Sequence, residues 1–399
     1  MKQGMLLFIG IFTLLQALWC FYLGRRLLSP DLPPHARVWL WGTLIILFVF
    51  QWLIPADMWM DRLAPDYSPF RTFLYWAGYL ITGFLTLVLF LVFFRDLAGW
   101  ISTGMGWSLH GWFPDIAEGS LSIGRSLFSS RGSLILASTA LVLTIAGFVQ
   151  AVLPPRVVRV DVAIANLAPE FEGYSIAQIS DIHFGPTIRR SFARRLSSQV
   201  NALNADLVAF TGDVTDGLVE KLRSDVEPLK DMKGRDGKLF VTGNHEYYWD
   251  APGWIIRMKE LGYSVLMNEH IIVKRGMGRL VVGGIPDFTA HRIPLTESPD
   301  ISKAFSGAPP DTPKILLAHQ PKEGHAAKKA GVDLVLSGHT HAGQFIPFNL
   351  LTKLAQPLLG GLYRLGATQV YVNRGTAYWG PPNRLGIPSE ITLITLRRK

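Results

Sequence analysis

Five short apolar segments each run into a cluster of acid, imidazole or amide side chains. YSIAQIS leads to DIHFG, DLVAF to TGDVTDG, KLFVT to GNHEYY, KILLA to HQP and DLVLS to GHTHAGQ. The residues delivered are Asp181, His183, Asp213, Asn244, His245, His319, His339 and His341. Five of the ten histidines sit at these ends, too many to place there by accident. Carboxylate, imidazole and amide form a hard-to-borderline ligand set, which suits Mn, Fe, Zn or Mg better than soft copper. The set is larger than one four-coordinate zinc site needs and contains no cysteine. It points to two divalent ions sharing a bridging carboxylate. Such pairs lie ~3.5–4 Å apart and clamp the attacking and leaving oxygens of a phosphoryl group, with a hydroxide between them as nucleophile.

Elements of one type must bring these ends together. In α/β sheets, ligands collect beyond the carboxyl ends of the strands. After Pro154 and Pro155 the stretch RVVRVDVAIANL alternates as a strand, and RRSFARRLSSQVNAL reads as a basic helix. IIVKR, RLVVGGI, QVYVN and EITLITL supply further strands. Strands alternating with helices predict an α/β domain over residues 156–399.

Residues 1–155 are different. The whole chain has 49% hydrophobic and 17% charged residues, apolar for a soluble protein. The excess lies in four uncharged runs at 4–24, 38–54, 73–94 and 132–153, each close to the ~20 residues that cross a hydrocarbon core. Nine of the twelve tryptophans fall before residue 113, as suits membrane interfaces. The expectation is an integral membrane protein with an all-α region of about four transmembrane helices. The segment between the third and fourth runs, with Trp100, Trp107 and Trp112, reads as a loop lying partly in the interface. Loop arginines number six on one side (Arg25, Arg26, Arg37, Arg95, Arg125, Arg131). Five basic residues lie on the other (Lys2, Arg62, Arg71, Arg156, Arg159), so the side of the catalytic domain is undetermined, with a slight lean outward. The net charge of +9 fits an anionic substrate or membrane surface. No dense basic run argues for nucleic acid. Cys20 stands alone, so no disulfide forms within the chain.

ISDIH, GDVTD, GNHE, LLAHQ and SGHTH, in this order, resemble the calcineurin-like metallophosphoesterases over about residues 172–399. GHTHAGQ with the later RGTAYWGPPNRLGIPSEI resembles the branch of membrane-associated phosphoesterases and transmembrane proteins with a metallophosphoesterase domain. The resemblance implies a four-layer αββα sandwich of two mixed sheets flanked by helices. It implies Asp181, His183 and His341 on the first metal, Asp213 bridging, and Asn244, His319 and His339 on the second, with manganese the leading metal. His245 would assist the leaving oxygen rather than ligate, a role suited to a group titrating near neutral pH. Asp216 would support the site from behind, and Arg374 would steady the phosphate. Glu246 reads as a charge at a helix start, and His110, His270, His291 and His325 as structural or surface residues. Two positions depart from the family pattern. Ala342 replaces a glycine, at little cost unless the backbone needs φ > 0, and Asn373 stands where serine is commoner. The expected localisation is a bacterial inner membrane, with the bilayer and a lipid-linked phosphate as partners. Some members of the branch cleave UDP-2,3-diacylglucosamine in lipid A synthesis, which makes that the leading substrate. Another lipid phosphate, or a metal-binding receptor without turnover, are the alternatives.

Overall fold

A computed structural model describes residues 2–28, 31–60, 68–292 and 297–399. Arg62, used in the charge comparison above, lies outside the described residues. The chain divides into two compact units, Met1–Phe148 and Val149–Lys399.

The first unit is helical: α1 (Lys2–Leu27), α2 (Pro34–Met60), α3 (Pro69–Leu109), α4 (Pro114–Leu127) and α5 (Ser130–Val152). All four apolar runs lie within helices. Among the described residues, α3 and α5 are long and apolar enough to cross a membrane. The 41 residues of α3 extend about 60 Å at 1.5 Å per residue, roughly twice the thickness of a hydrocarbon core. The segment following the third run is therefore not the expected loop. It is the second half of α3 folded back through α4. Glycines in this segment let two helices touch. A Cβ on Gly106 would lie 2.6 Å from Leu121 Cγ, and one on Gly124 would lie 2.7 Å from Thr103 Oγ1. Where the third apolar run ends, Asp96 accepts hydrogen bonds from Tyr22 Oη at 2.7 Å, Arg26 Nε at 2.5 Å and Arg95 Nη2 at 2.9 Å. Buried charge is tolerated there because it is paired.

Among the described residues the second unit holds twelve strands. They are β1 (Arg156–Ile164), β2 (Ser175–Ile179), β3 (Leu207–Phe210), β4 (Lys238–Phe240), β5 (Ser264–Val265), β6 (Glu269–Arg275), β7 (Gly278–Gly284), β8 (Lys314–Leu317), β9 (Leu334–Ser337), β10 (Gly361–Leu365), β11 (Thr368–Val372) and β12 (Glu390–Arg398). Two six-stranded mixed sheets form, in the orders β1-β12-β2-β3-β4-β5 and β10-β11-β9-β8-β7-β6. Strands β2, β3 and β4 run parallel, as do β7, β8, β9 and β11. Their sequences are mainly apolar because both faces are covered. Ile176, Leu207 and Leu239 of one sheet pack with Leu280, Ile315 and Leu334 of the other in a single core. On the outer faces lie α6 (Arg190–Ala202), α7 (Val219–Val226), α8 (Asn244–Trp249), α9 (Ala251–Glu260), α10 (Ile301–Ala304) and α11 (Gly324–Lys329). Ala304 and Ala327 pack on Leu316, Val335 and Val370. A twelfth helix, α12 (Phe348–Ala355), buries no residue. The αββα architecture expected from the family resemblance is present.

Asp206 joins β2 to the loop before β3. Its Oδ2 accepts from Ser175 N at 2.7 Å and Ser175 Oγ at 2.8 Å, and its Oδ1 meets Arg275 and Arg235 at 2.7 and 2.8 Å. Burial works to raise the Asp206 pKa, but the bonds from Arg275 and Ser175 outweigh it and hold the carboxyl below its ordinary value. A depressed folded pKa stabilises fully above the unfolded value of about 4 and fades as pH falls through the folded one. Asp206→Ala is expected to cost about 2 kcal/mol at neutral pH, with the difference shrinking in acid. Calorimetry of both proteins from pH 7 down to pH 3 checks this.

Candidate metal centre

The five strand ends meet because β2, β3 and β4 are neighbours in one sheet, β8 and β9 in the other. Asp181 and His183 follow β2, Asp213 follows β3, Asn244 opens α8 after β4, His319 follows β8, and His339 and His341 follow β9. Just past the strands the backbone turns left-handed at Asp181, His183, Asp213, His339 and His341, with φ between 49° and 69°. Non-glycine residues held there are strained by about 1–3 kcal/mol each, a cost that clusters at functional sites. The turns are held from outside: Asp181 N donates to Gly212 O at 3.0 Å and His183 N to Asp213 O at 3.2 Å. Two glycines of the motifs are required by close approach. A Cβ on Gly243 would lie 2.1 Å from Asp213 Oδ1, and one on Gly338 would lie 2.2 Å from Asp181 Oδ2.

Two triplets of ligand atoms form, Asp181–His183–His341 and Asp213–His319–His339, each with its atoms within 4.8 Å of one another. A third, His183–Asp213–His245, joins them and shares His183 with the first and Asp213 with the second. The second triplet tests whether a cation fits. His319 Nδ1 lies 2.7 Å from Thr211 O, so it carries the ring proton. His319 Nε2 then offers a lone pair. Around it stand Asn244 Oδ1 at 3.1 Å, His339 Nδ1 at 3.2 Å and Asp213 Oδ2 at 3.2 Å. With His319 neutral, four potential acceptor atoms crowd together. One proton satisfies one pair, whereas one cation satisfies all four. In the first triplet His183 Nδ1 lies 3.2 Å from Asp216 Oδ1, leaving Nε2 free at 3.0 Å from His341 Nε2, which is 3.6 Å from Asp181 Oδ1. His341 fits less simply. Its Nδ1 faces Arg384 Nη2 at 2.9 Å, a donor. A neutral ring with that bond carries its proton on Nε2, so a cation at Nε2 requires the guanidinium to re-aim.

The electrostatics show the same demand for positive charge. Burial works to raise Asp213, but His319 above all, with His245 and His183, holds it well below the usual carboxylate range. Burial works to lower His319, yet Asp213 and Asp181 bring it well above the imidazole range. Asp216 Oδ1 also accepts from His245 Nδ1 at 2.5 Å. Against burial, Asp213 and Asp216 bring His245 up to about 9. One carboxylate thus orients two imidazoles. The His245 side chain is 13% exposed while those of Asp181 and His319 show nothing to solvent, so His245 stands at the mouth. Trp379 and Tyr248 flank it with ring centroids at 5.8 and 5.1 Å.

Other expected residues fall elsewhere. Arg374 turns its Nε to Glu390 at 3.8 Å, and among the described residues no ion pair joins it to the ligand cluster. Asn373 is buried, with Nδ2 on Thr392 Oγ1 at 3.0 Å and Oδ1 accepting from Gly375 N at 2.8 Å. It closes the turn after β11, which a serine would do with a shorter reach. His270 bonds Ala304 O and His291 bonds Phe288 O.

Three contributors were not anticipated. Glu246 is fully buried, and its carboxylate accepts from Gly243 N, Asp213 N and Val214 N at 2.5, 3.1 and 2.7 Å. It sits at the start of α8, as expected, and there it also clasps the GD and GN turns together. Burial and the nearby Asp213 push it up to about 7. Buried Asp287 accepts from Gln320 Nε2 at 2.7 Å beside His319. Arg384, buried outright, donates to the carbonyls of His341, Arg374 and Ala377. Burial lowers it to about 9. A lone arginine inside PPNRLGIP was the available signal.

Ala342 meets the condition under which a missing glycine carries a cost. Its φ is +51°, so the missing glycine is felt. A left-handed L-residue costs roughly 1–2 kcal/mol. Ala342→Gly is therefore expected to stabilise by about 1 kcal/mol, less the chain entropy that glycine adds to the unfolded state. A rise in melting temperature without loss of bound metal is the check.

The calcineurin-like phosphoesterase family matches residues 174–343. The chain is 36% identical over 405 residues to a transmembrane protein with metallophosphoesterase domain from Danio rerio, covering 98% of this chain and 89% of that one. It is 38% identical over 302 residues to the protein of the same name from Bos taurus, covering 73% and 68%. An uncharacterized metallophosphoesterase from Helicobacter pylori is 37% identical over 255 residues, covering 63% and 67%.

Proposed function

The chain belongs to the calcineurin-like metallophosphoesterases, among the transmembrane proteins with a metallophosphoesterase domain, and from that premise we propose that it hydrolyses a lipid-linked phosphoester or pyrophosphate at the membrane. The enzyme class is a metal-dependent phosphoesterase. The substrate is the proposal, and the apolar helices support it: a catalytic unit acting on soluble phosphates has no need of a membrane-resident half. UDP-2,3-diacylglucosamine is the first substrate to assay, ahead of other lipid phosphates.

One observation carries the reading, the meeting of Asp213 Oδ2, Asn244 Oδ1 and His339 Nδ1 within 3.2 Å of His319 Nε2. Asp181, His183 and His341 would hold one divalent ion, Asn244, His319 and His339 another, with Asp213 shared and manganese the leading identity. Two such ions supply Lewis-acid charge for the phosphoryl oxygens and a nucleophile at neutral pH. The chain's residues do the rest. Asp216 fixes both the His183 and the His245 ring by their Nδ1 atoms. His245 thereby turns Nε2 away from Asp216 and holds a proton for the leaving oxygen. Glu246 and Arg384 keep the turns from relaxing.

The test is Mn²⁺-dependent UMP release from UDP-2,3-diacylglucosamine by the full chain in detergent, with Asn244→Ala as control. Release by the wild type alone, abolished by chelator and restored by Mn²⁺, is the expected result. Cleavage of an aryl phosphodiester without UMP release would retain the hydrolase and discard this substrate.

A further inference from the structure

Helix α12 is built the wrong way round for a helix facing water. Leu350, Leu351 and Leu354 form one stripe at spacings of one, three and four, and Asn349, Thr352, Lys353 and Gln356 form the opposite one. A surface helix ordinarily turns its apolar stripe to the core. Here Asn349, Thr352 and Gln356 are half-buried, while Leu350, Leu351 and Leu354 are 55%, 50% and 85% exposed. The polar side is seated on the domain by backbone contact: a Cβ on Gly343 would lie 2.3 Å from Asn349 Cα. Phe348 and Ile346 extend the apolar surface beside the stripe.

The patch adjoins the metal centre. Only the segment from Ala342 to Pro347 separates His341 from α12. Within that segment, Gln344 Nε2 donates to Trp379 O at 2.9 Å, and Trp379 N donates to Gln344 Oε1 at 2.7 Å. Trp379, half exposed, reaches His245 and His183 with ring centroids at 5.8 and 6.5 Å. Trp379 is thus tied to the segment that leads into α12 and stands beside the mouth.

We propose that α12 docks the catalytic unit onto the lipid bilayer, apolar stripe inward, so that a phosphate at headgroup depth enters past Trp379. Three observations select a bilayer as the occupant. The exposed stripe asks for an apolar phase. The one charged residue of α12, Lys353, is exposed and basic and suits an anionic headgroup layer. The same chain carries helices long and apolar enough to cross a membrane. The proposal rests on the reading of the site as a hydrolase of membrane-held phosphates, and it adds how the substrate is reached.

The test uses the full chain with Cys20→Ala and Leu354→Cys, labelled with bimane, in nanodiscs of phosphatidylglycerol and phosphatidylethanolamine whose acyl chains are brominated. Met277→Cys, in the exposed β6–β7 turn at the sheet edge opposite β10, is the control. Quenching at position 354 at least threefold above that at 277 is expected. A blue-shifted but unquenched label at 354 would mean cover by protein, and an unshifted, unquenched label would mean water. Either overturns docking. Independently, Leu351→Glu/Leu354→Glu is expected to lower kcat/KM at least tenfold on a bilayer-embedded phosphodiester and to leave cleavage of soluble bis(p-nitrophenyl) phosphate unchanged. Equal loss on both overturns docking. Absence of cleavage by the wild type overturns the hydrolase reading instead, and the quenching result still decides docking.

Discussion

Asp213→Asn is expected to reduce phosphodiester hydrolysis by about a thousandfold or more while the protein still folds. Asp213 follows β3 with φ of +55°, a conformation that asparagine adopts as readily as aspartate. Its Oδ1 accepts from His245 N at 2.9 Å, and an amide oxygen keeps that bond. The other atom changes the chemistry. Oδ2 lies 3.2 Å from His319 Nε2 and 3.8 Å from His183 Nε2, in reach of both triplets. An NH2 there replaces an anionic acceptor with a donor and removes a full negative charge. Loss of several kcal/mol of cation-borne transition-state stabilisation, at 1.36 kcal/mol per tenfold, sets that scale. Bound metal, measured by elemental analysis after desalting, is expected to drop along with activity, while the melting temperature without added metal stays near or above wild type. A variant that keeps its metal and its rate would remove Asp213 from the bridge.

His245→Ala is expected to lower kcat by 10²–10⁴-fold, the usual range for a positioned general acid. The loss is expected to depend on the leaving group. Nitrophenolate departs unaided, so bis(p-nitrophenyl) phosphate should suffer least, and an alkyl phosphodiester most. A purely structural role would reduce both alike. Asp213 and Asp216, against burial, hold His245 up to about 9, so the imidazolium persists across neutral pH and the alkaline limb of the rate reports its loss. Asp216→Asn removes one of those carboxylates, and the limb should move to lower pH. The same substitution frees the His183 ring, so a fall of about 10–100-fold in metal affinity is expected alongside. Unequal leaving-group effects combined with a shifted limb distinguish proton donation from packing.

What the sequence determined by itself is the inventory. Strand-then-ligand is a local pattern: an apolar run of four or five residues predicts a buried parallel strand, and the residues that follow emerge at its carboxyl end. Asp181, His183, Asp213, Asn244, His319, His339 and His341 were all readable in this way, because strand direction alone sends them to one edge. The positions of β1, β6, β7, β11 and β12 were readable from alternation and apolar runs. The apolar segments were readable as helices, although the turn-back of α3 through α4 was not. Glycine has a low helix propensity, and only the approach of Leu121 and Thr103 shows why Gly106 and Gly124 are placed where they are.

Tertiary structure decided the rest, and the reason is the same each time: the deciding partner is distant in sequence. Glu246 is the helix-start charge the sequence suggests, but only the fold shows Asp213 N and Val214 N, more than thirty residues away, pointing at it. Arg384 has no periodicity to reveal it, and its meaning comes from carbonyls on two other turns. The strain at Ala342 depends on a backbone dihedral that composition does not disclose. Arg374 is suggested for the phosphate by its motif, while its 3.8 Å approach to Glu390 Oε2 is seen only in the fold. Helix α12 is the clearest division between the two levels. Its two stripes are plain in the sequence, yet which stripe faces the core is a property of the packing, and here the polar side was chosen.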